Sequence, residues 1–119
     1  MQTEMAVEKL DAATAVAVIQ GSLTMGTSLK TIDHNLQALI QGGVSRVVVD
    51  MTACPYSDSA GLGVLMHTFG LVQERGGAMR LCGVTERVAN LLKMTRTDTI
   101  LRMDADRETS LAALAAEVS

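Results

Sequence analysis

Residues 46–72 read RVVVDMTACPYSDSAGLGVLMHTFGLV, and how this stretch divides decides the fold. Arg46 to Asp50 is a β-branched run, the composition of a central strand covered on both faces. From Leu62 onward, Leu65, Met66, Phe69 and Val72 recur at the spacing of one buried helix face. Between the two lies Ser57-Asp58-Ser59-Ala60-Gly61-Leu62-Gly63. A small hydroxyl residue, beside a carboxylate and two glycines, therefore stands where a strand hands over to a helix.

Working outward, the same alternation continues in both directions. Residues near Glu4–Leu10 and Thr14–Gly21 read as two strands joined by the short turn "DAA", an antiparallel hairpin. Leu29, Ile32, Leu36, Leu39 and Ile40 mark a first helix, with Thr27 or Ser28 as its cap and Gly42-Gly43 as its end. Past the second helix, which ends at Gly76-Gly77, come the strand "AMRLCGV" and a third helix in "TERVANLLKM" with Thr85 as cap. "TILRM" reads as a short last strand, and "DRETSLAALAAEV" as a last helix with Leu111, Leu114 and Val118 on one face. The order is ββαβαβαβα. Strands separated by helices are parallel neighbours with right-handed crossovers. The expectation is an α/β fold: a mixed four- to five-stranded sheet with about four helices, one domain over residues 1–119.

Bulk properties narrow the function. A chain of 119 residues, 48% hydrophobic and 19% charged, can bury a core. The formal net charge of −3 and an aromatic content of 2% give neither the basic footprint nor the stacking platform of a nucleic-acid binder. Most of the eight methionines are read as core filler in place of aromatics. No apolar run approaches the ~20 residues of a membrane span. "MQTEMAVEKL" carries early acids and lacks a signal-peptide core, so a cytoplasmic protein without a membrane partner is expected. Cys54 and Cys82 then read as free, buried thiols.

Ser59 invites several readings. A serine hydrolase needs a base within hydrogen-bond reach. His67 lies eight residues further along the same helix, roughly 12 Å of rise. Ser57 also stands where the first glycine of a nucleophile elbow belongs. "GLGVLM" opens like a dinucleotide fingerprint, but Met66 replaces the third glycine, and there is no phosphate loop of the G-x-x-x-x-G-K-[ST] type. The His and Cys residues are scattered without metal-ligand spacing, so neither metal nor cofactor is expected. The plainest reading is a helix cap by Asp58 or Ser59. A cap alone does not call for two glycines in the first turn, where each costs about 1 kcal/mol relative to alanine. Gly61 and Gly63 read as room for the backbone of another protein.

Asp58-Ser59-Ala60-Gly61-Leu62-Gly63 resembles the signature of the anti-sigma factor antagonists, bacterial members of the STAS domain family. The likeness extends through "RVVVD", "VQERGGAMRLCGV" and "VANLLKMTRTDTIL". It implies a single STAS-like domain that regulates transcription by partner switching and is not an enzyme. The partner implied is an anti-sigma factor serine kinase, bound by the unphosphorylated form so that a sigma factor is freed. Phosphorylation breaks that complex, and a serine phosphatase restores it. The phosphoacceptor implied is Ser59, because Ala60 occupies the other position at which such motifs carry a hydroxyl.

The partner-binding set implied is Leu23, Thr24, Asp58, Ser59, Gly61 and Leu62, which a sheet of this type brings to one edge. One departure matters. Many members carry Gly-Glu-Leu-Asp after the second strand, whereas here Gly21-Ser22-Leu23-Thr24 lacks both acids. That departure keeps open an alternative, an unswitched STAS interaction module in another signalling or transport assembly. The oligomeric state is not legible.

Overall fold

The computed structural model describes residues 2–117. Two strands, β1 (Glu4–Lys9) and β2 (Thr14–Gln20), form the expected antiparallel hairpin. Asp11 closes it, its Oδ1 accepting the backbone N–H groups of Ala13 and Thr14. Then follow α1 (Thr27–Gln41), β3 (Arg46–Ala53), α2 (Ser59–Glu74), β4 (Ala78–Cys82), α3 (Glu86–Met94), β5 (Met103–Asp104) and α4 (Arg107–Glu117). The sheet has five strands in the order β1-β2-β3-β4-β5, parallel from β2 onward. β3 is central, and its Val47, Val48 and Val49 are all buried. A β-branched run with no polar alternation is what two covered faces demand.

The faces carry different cores. Val47 and Val49 of β3, with Ala15, Ala17 and Ile19 of β2, pack against α1, α2 and α3 in the larger core. The opposite row, Val16, Val48 and Cys82, meets Leu114 of α4. Around that smaller core runs a polar frame. Arg80 donates to Asp104 from Nε at 2.6 Å and also pairs with Glu117, and Ser110 donates to Asp104 at 2.7 Å. Arg107 pairs with Glu8 and lies 3.4 Å from Asp50.

Two expectations need correction. The N-cap of α1 is neither Thr27 nor Ser28 but Gly26, at φ 152°, a conformation that favours glycine, and no side chain caps the helix. "TILRM" is mostly not a strand. Residues 97–99 wind into a 3₁₀ turn beside the end of α3, where the Thr95 and Thr97 hydroxyls donate to carbonyls of Leu91 and Leu92. Only Met103–Asp104 pair with β4. Most of the described methionines serve the core as expected, Met51 and Met79 within it and Met5, Met66 and Met103 packed against it, whereas Met25 is 79% and Met94 81% exposed. Val118, expected on the inner face of α4, lies outside the described residues.

Candidate functional site

At the carboxyl ends of β2 and β3 the chain makes two neighbouring turns, residues 21–26 into α1 and residues 54–58 into α2. They are tied by backbone. Leu23 N–H donates to Tyr56 C=O at 2.9 Å, and Asp58 N–H donates to Leu23 C=O at 3.1 Å. Leu23 and Ser57 thereby form an isolated parallel bridge that prolongs the β2–β3 pairing. The adjacency expected from the topology is therefore present.

Asp58 adopts the extended conformation of an N-cap and its Oδ1 accepts Gly61 N–H at 2.9 Å. Its second oxygen, Oδ2, accepts Met25 N–H from the other turn at 2.9 Å. The bonds to Met25 and then Gly61 favour the charged form and hold the Asp58 carboxyl below the usual aspartate range. Ser59 is the first residue of α2 and is exposed. Ser57 is 2% exposed and its hydroxyl donates to the Asp58 carbonyl. Between Ser57 and Gly61, only the Ser59 hydroxyl is therefore open to an enzyme.

The glycines serve unlike purposes. A Cβ on Gly61 would collide with the Leu23 carbonyl oxygen and with Ser57 Oγ, so this glycine lets α2 approach the neighbouring turn. Its bulk is spared for an internal contact and not for another protein, a correction to the sequence reading. Around Gly63 there is open space. Leu23 and Leu62 are 1% and 8% exposed, so their side chains belong to the core. Of the expected contact set, Thr24 and Ser59 face outward and Asp58 is half-buried.

Met25 is the residue that sequence reasoning missed. The signal for it was weak: it lies between a strand and a glycine-capped helix, with no periodic partner to claim it. It borders a small apolar hollow with Leu29, Ala60 and Val64, rimmed by Lys30 and Asp33. His67 does not approach Ser59 as a base. Its Nδ1 lies 3.4 Å from Asp33 of α1. Tyr56 carries Arg87 of α3 over its ring, 4.4 Å from the centroid. Cys54 is buried and its thiol is pushed up by burial. Among the described residues, no three His, Cys, Asp or Glu side chains gather to hold a metal ion, and no helix is long and apolar enough to cross a membrane.

The family model for the STAS domain matches residues 4–110, which spans the sheet, the two turns and the start of α4. The chain belongs to the STAS domain family. Over 53 residues it is 38% identical to the anti-sigma-B factor antagonist of Bacillus subtilis, covering 44% of this chain and 49% of that one. The chain spans about half the length of the curated relatives it matches. A STAS domain protein from Planctomyces limnophilus, described as an anti-sigma-factor antagonist, superposes with a TM-score of 0.82 at 21% identity. That match covers 93% of this chain and 97% of the other. The crystal structure of an anti-sigma factor antagonist from Mycobacterium paratuberculosis also gives 0.82, at 16% identity over 96% and 95% of the two chains. At these identities the superpositions speak for the STAS fold alone.

Proposed function

We propose that this STAS domain is an anti-sigma factor antagonist whose unphosphorylated form binds an anti-sigma factor serine kinase, frees a sigma factor, and is switched off by phosphorylation of Ser59. The observation that carries the reading is the Ser59 hydroxyl, exposed at the first position of α2 while Ser57 is sealed and position 60 is alanine. A protein kinase needs an accessible hydroxyl, and this segment offers one. The domain acts by binding and not by catalysis, and a serine phosphatase reverses the modification. We place this exchange in the cytoplasm, where kinase, sigma factor and ATP meet.

The physics supports a switch that leaves the fold intact. Phosphoserine adds about −1.5 to −2 charges at neutral pH. At the start of α2 the helix dipole and unpaired N–H groups favour that charge. In a closed interface the same charge would lose its water, at several kcal/mol, and each ~1.4 kcal/mol is tenfold in affinity.

The experiment is phosphorylation with the cognate kinase and ATP, followed by mass-spectrometric mapping. A phosphate confined to Ser59 is expected. An active kinase that leaves Ser59 unlabelled sinks the proposal and favours the unswitched interaction module. As a second arm, Ser59→Asp should bind the kinase at least about tenfold more weakly while its thermal midpoint stays close to that of the wild type.

A further inference from the structure

Asp58 carries two bonds that bear on different parts of the molecule. Through Oδ1 it caps α2 at Gly61, which fixes Ser59 at the head of the helix. Through Oδ2 it fixes Met25, 33 residues away in the chain. Met25 is a large apolar side chain at 79% exposure. Such a side chain on a free loop samples many positions, and ordering it on binding costs affinity. Here its backbone is anchored by the same carboxylate that orders the serine.

We infer that Asp58 is a positioning residue, a brace that holds Met25 and Ser59 side by side so that the partner meets an apolar anchor and the hydroxyl as one prearranged surface. This rests on the reading of Ser59 given above and deepens it. Asp58 then acts within the domain, both oxygens engaged, and not as a charge offered to the partner. Met25 takes the role of the apolar contact that the buried Leu23 cannot fill. An interface centred on Met25 also accounts for a turn that has no acids at Ser22 and Thr24: recognition here is apolar and weakly dependent on salt.

Asp58→Asn separates the two bonds. Asparagine caps helices well, so its oxygen keeps Gly61. Its amide nitrogen is a donor and faces Met25 N–H, another donor, so that bond is lost. Amide hydrogen exchange followed by NMR on the protein alone should show Met25 exchanging on the order of tenfold faster, with Gly61 nearly unchanged.

With the kinase that labels the wild type, Asp58→Asn should raise KM about tenfold and leave kcat within about twofold, the signature of lost uniform binding. Met25→Ala should raise KM similarly while the amide of residue 25 stays protected. If Asp58→Asn fails to fold, Asp58→Ser caps Gly61 and is too short to reach Met25. An unchanged Met25 amide in the folded variant overturns the inference, as does an unchanged KM once that amide is freed. A kinase that never labels wild-type Ser59 is a different failure, that of the underlying reading, since the exchange measurement needs no partner.

Discussion

Gly61 and Gly63 show how two identical residues in one helix turn answer to different constraints. A methyl group on Gly61 would enter the Leu23 carbonyl. Gly61→Ala must push α2 from the adjacent turn, and a cost of about 2–4 kcal/mol is expected from overpacking and lost backbone bonds. A methyl group on Gly63 meets nothing within 4 Å, in a helical residue. Gly63→Ala should therefore gain about 0.5–1 kcal/mol from the less flexible unfolded chain. Urea titrations of the two variants measure both signs, and a destabilised Gly63→Ala would contradict the open space seen there. That these glycines matter is legible from residue type alone, because neither suits a helix start on propensity. Propensity did not reveal which one was filled by a neighbour, since Leu23 is distant in the chain and becomes adjacent only through β2–β3 pairing.

The elements were legible where hydrophobic spacing is strong and illegible where side chains bond across long loops. α1, α2 and α3 each put apolar residues on one stripe, and β3 carries the unbroken apolar run Val47–Val49. β5 misled because Ile100, Leu101 and Met103 look like a strand, whereas Leu101 instead drops into the core beyond the 3₁₀ turn. The polar seat of α4 left no local signal, because Arg80 reaches Asp104 over 24 residues and Arg107 reaches Asp50 over 57.

That seat makes α4 sensitive to acid. The bond from Arg80 lowers the Asp104 carboxyl, against burial and with help from Ser110. Burial raises Asp50, and the bonds from Thr52 and Arg107 outweigh it, so its net shift is also downward. Carboxyls with lowered folded-state values contribute stability that is complete above the ordinary value near ~4 and lost as pH falls through the folded one. Asp104→Asn should cost about 2–3 kcal/mol at pH 7, because it leaves Arg80 under-compensated beneath α4. The gap between variant and wild type should close as both are taken below about pH 3. Urea midpoints across that range measure it, and a constant gap would show that Asp104 acts through shape and not charge.

At the scale of the molecule, the sheet separates two cores of unequal cover. Cys54 belongs to the larger, beneath three helices, and Cys82 to the smaller, beneath α4. Burial, and then the nearby Asp50, push the Cys82 thiol up to about 11, so in the folded state it is a protonated, unreactive group. Each thiol should react with a maleimide only after the structure opens. Local opening of α4 alone would expose Cys82 and not Cys54. In single-cysteine variants, Cys82 should therefore label on the order of tenfold faster than Cys54 in mild urea. Equal rates would mean that α4 leaves only when the whole domain unfolds.

The tie between the two turns bears on how a cell could keep many such domains apart. The architecture beneath the site is held by main-chain bonds of Leu23 and by the carboxylate of Asp58. The outward side chains at Thr24 and Met25 take no part in it, and position 25 contributes only its main-chain N–H. Those two positions can be exchanged for acids, amides or other apolar groups at little cost to folding. Sibling domains could thus keep one scaffold and one phosphorylatable serine, answer to different kinases, and avoid cross-talk by what they carry at two adjacent positions.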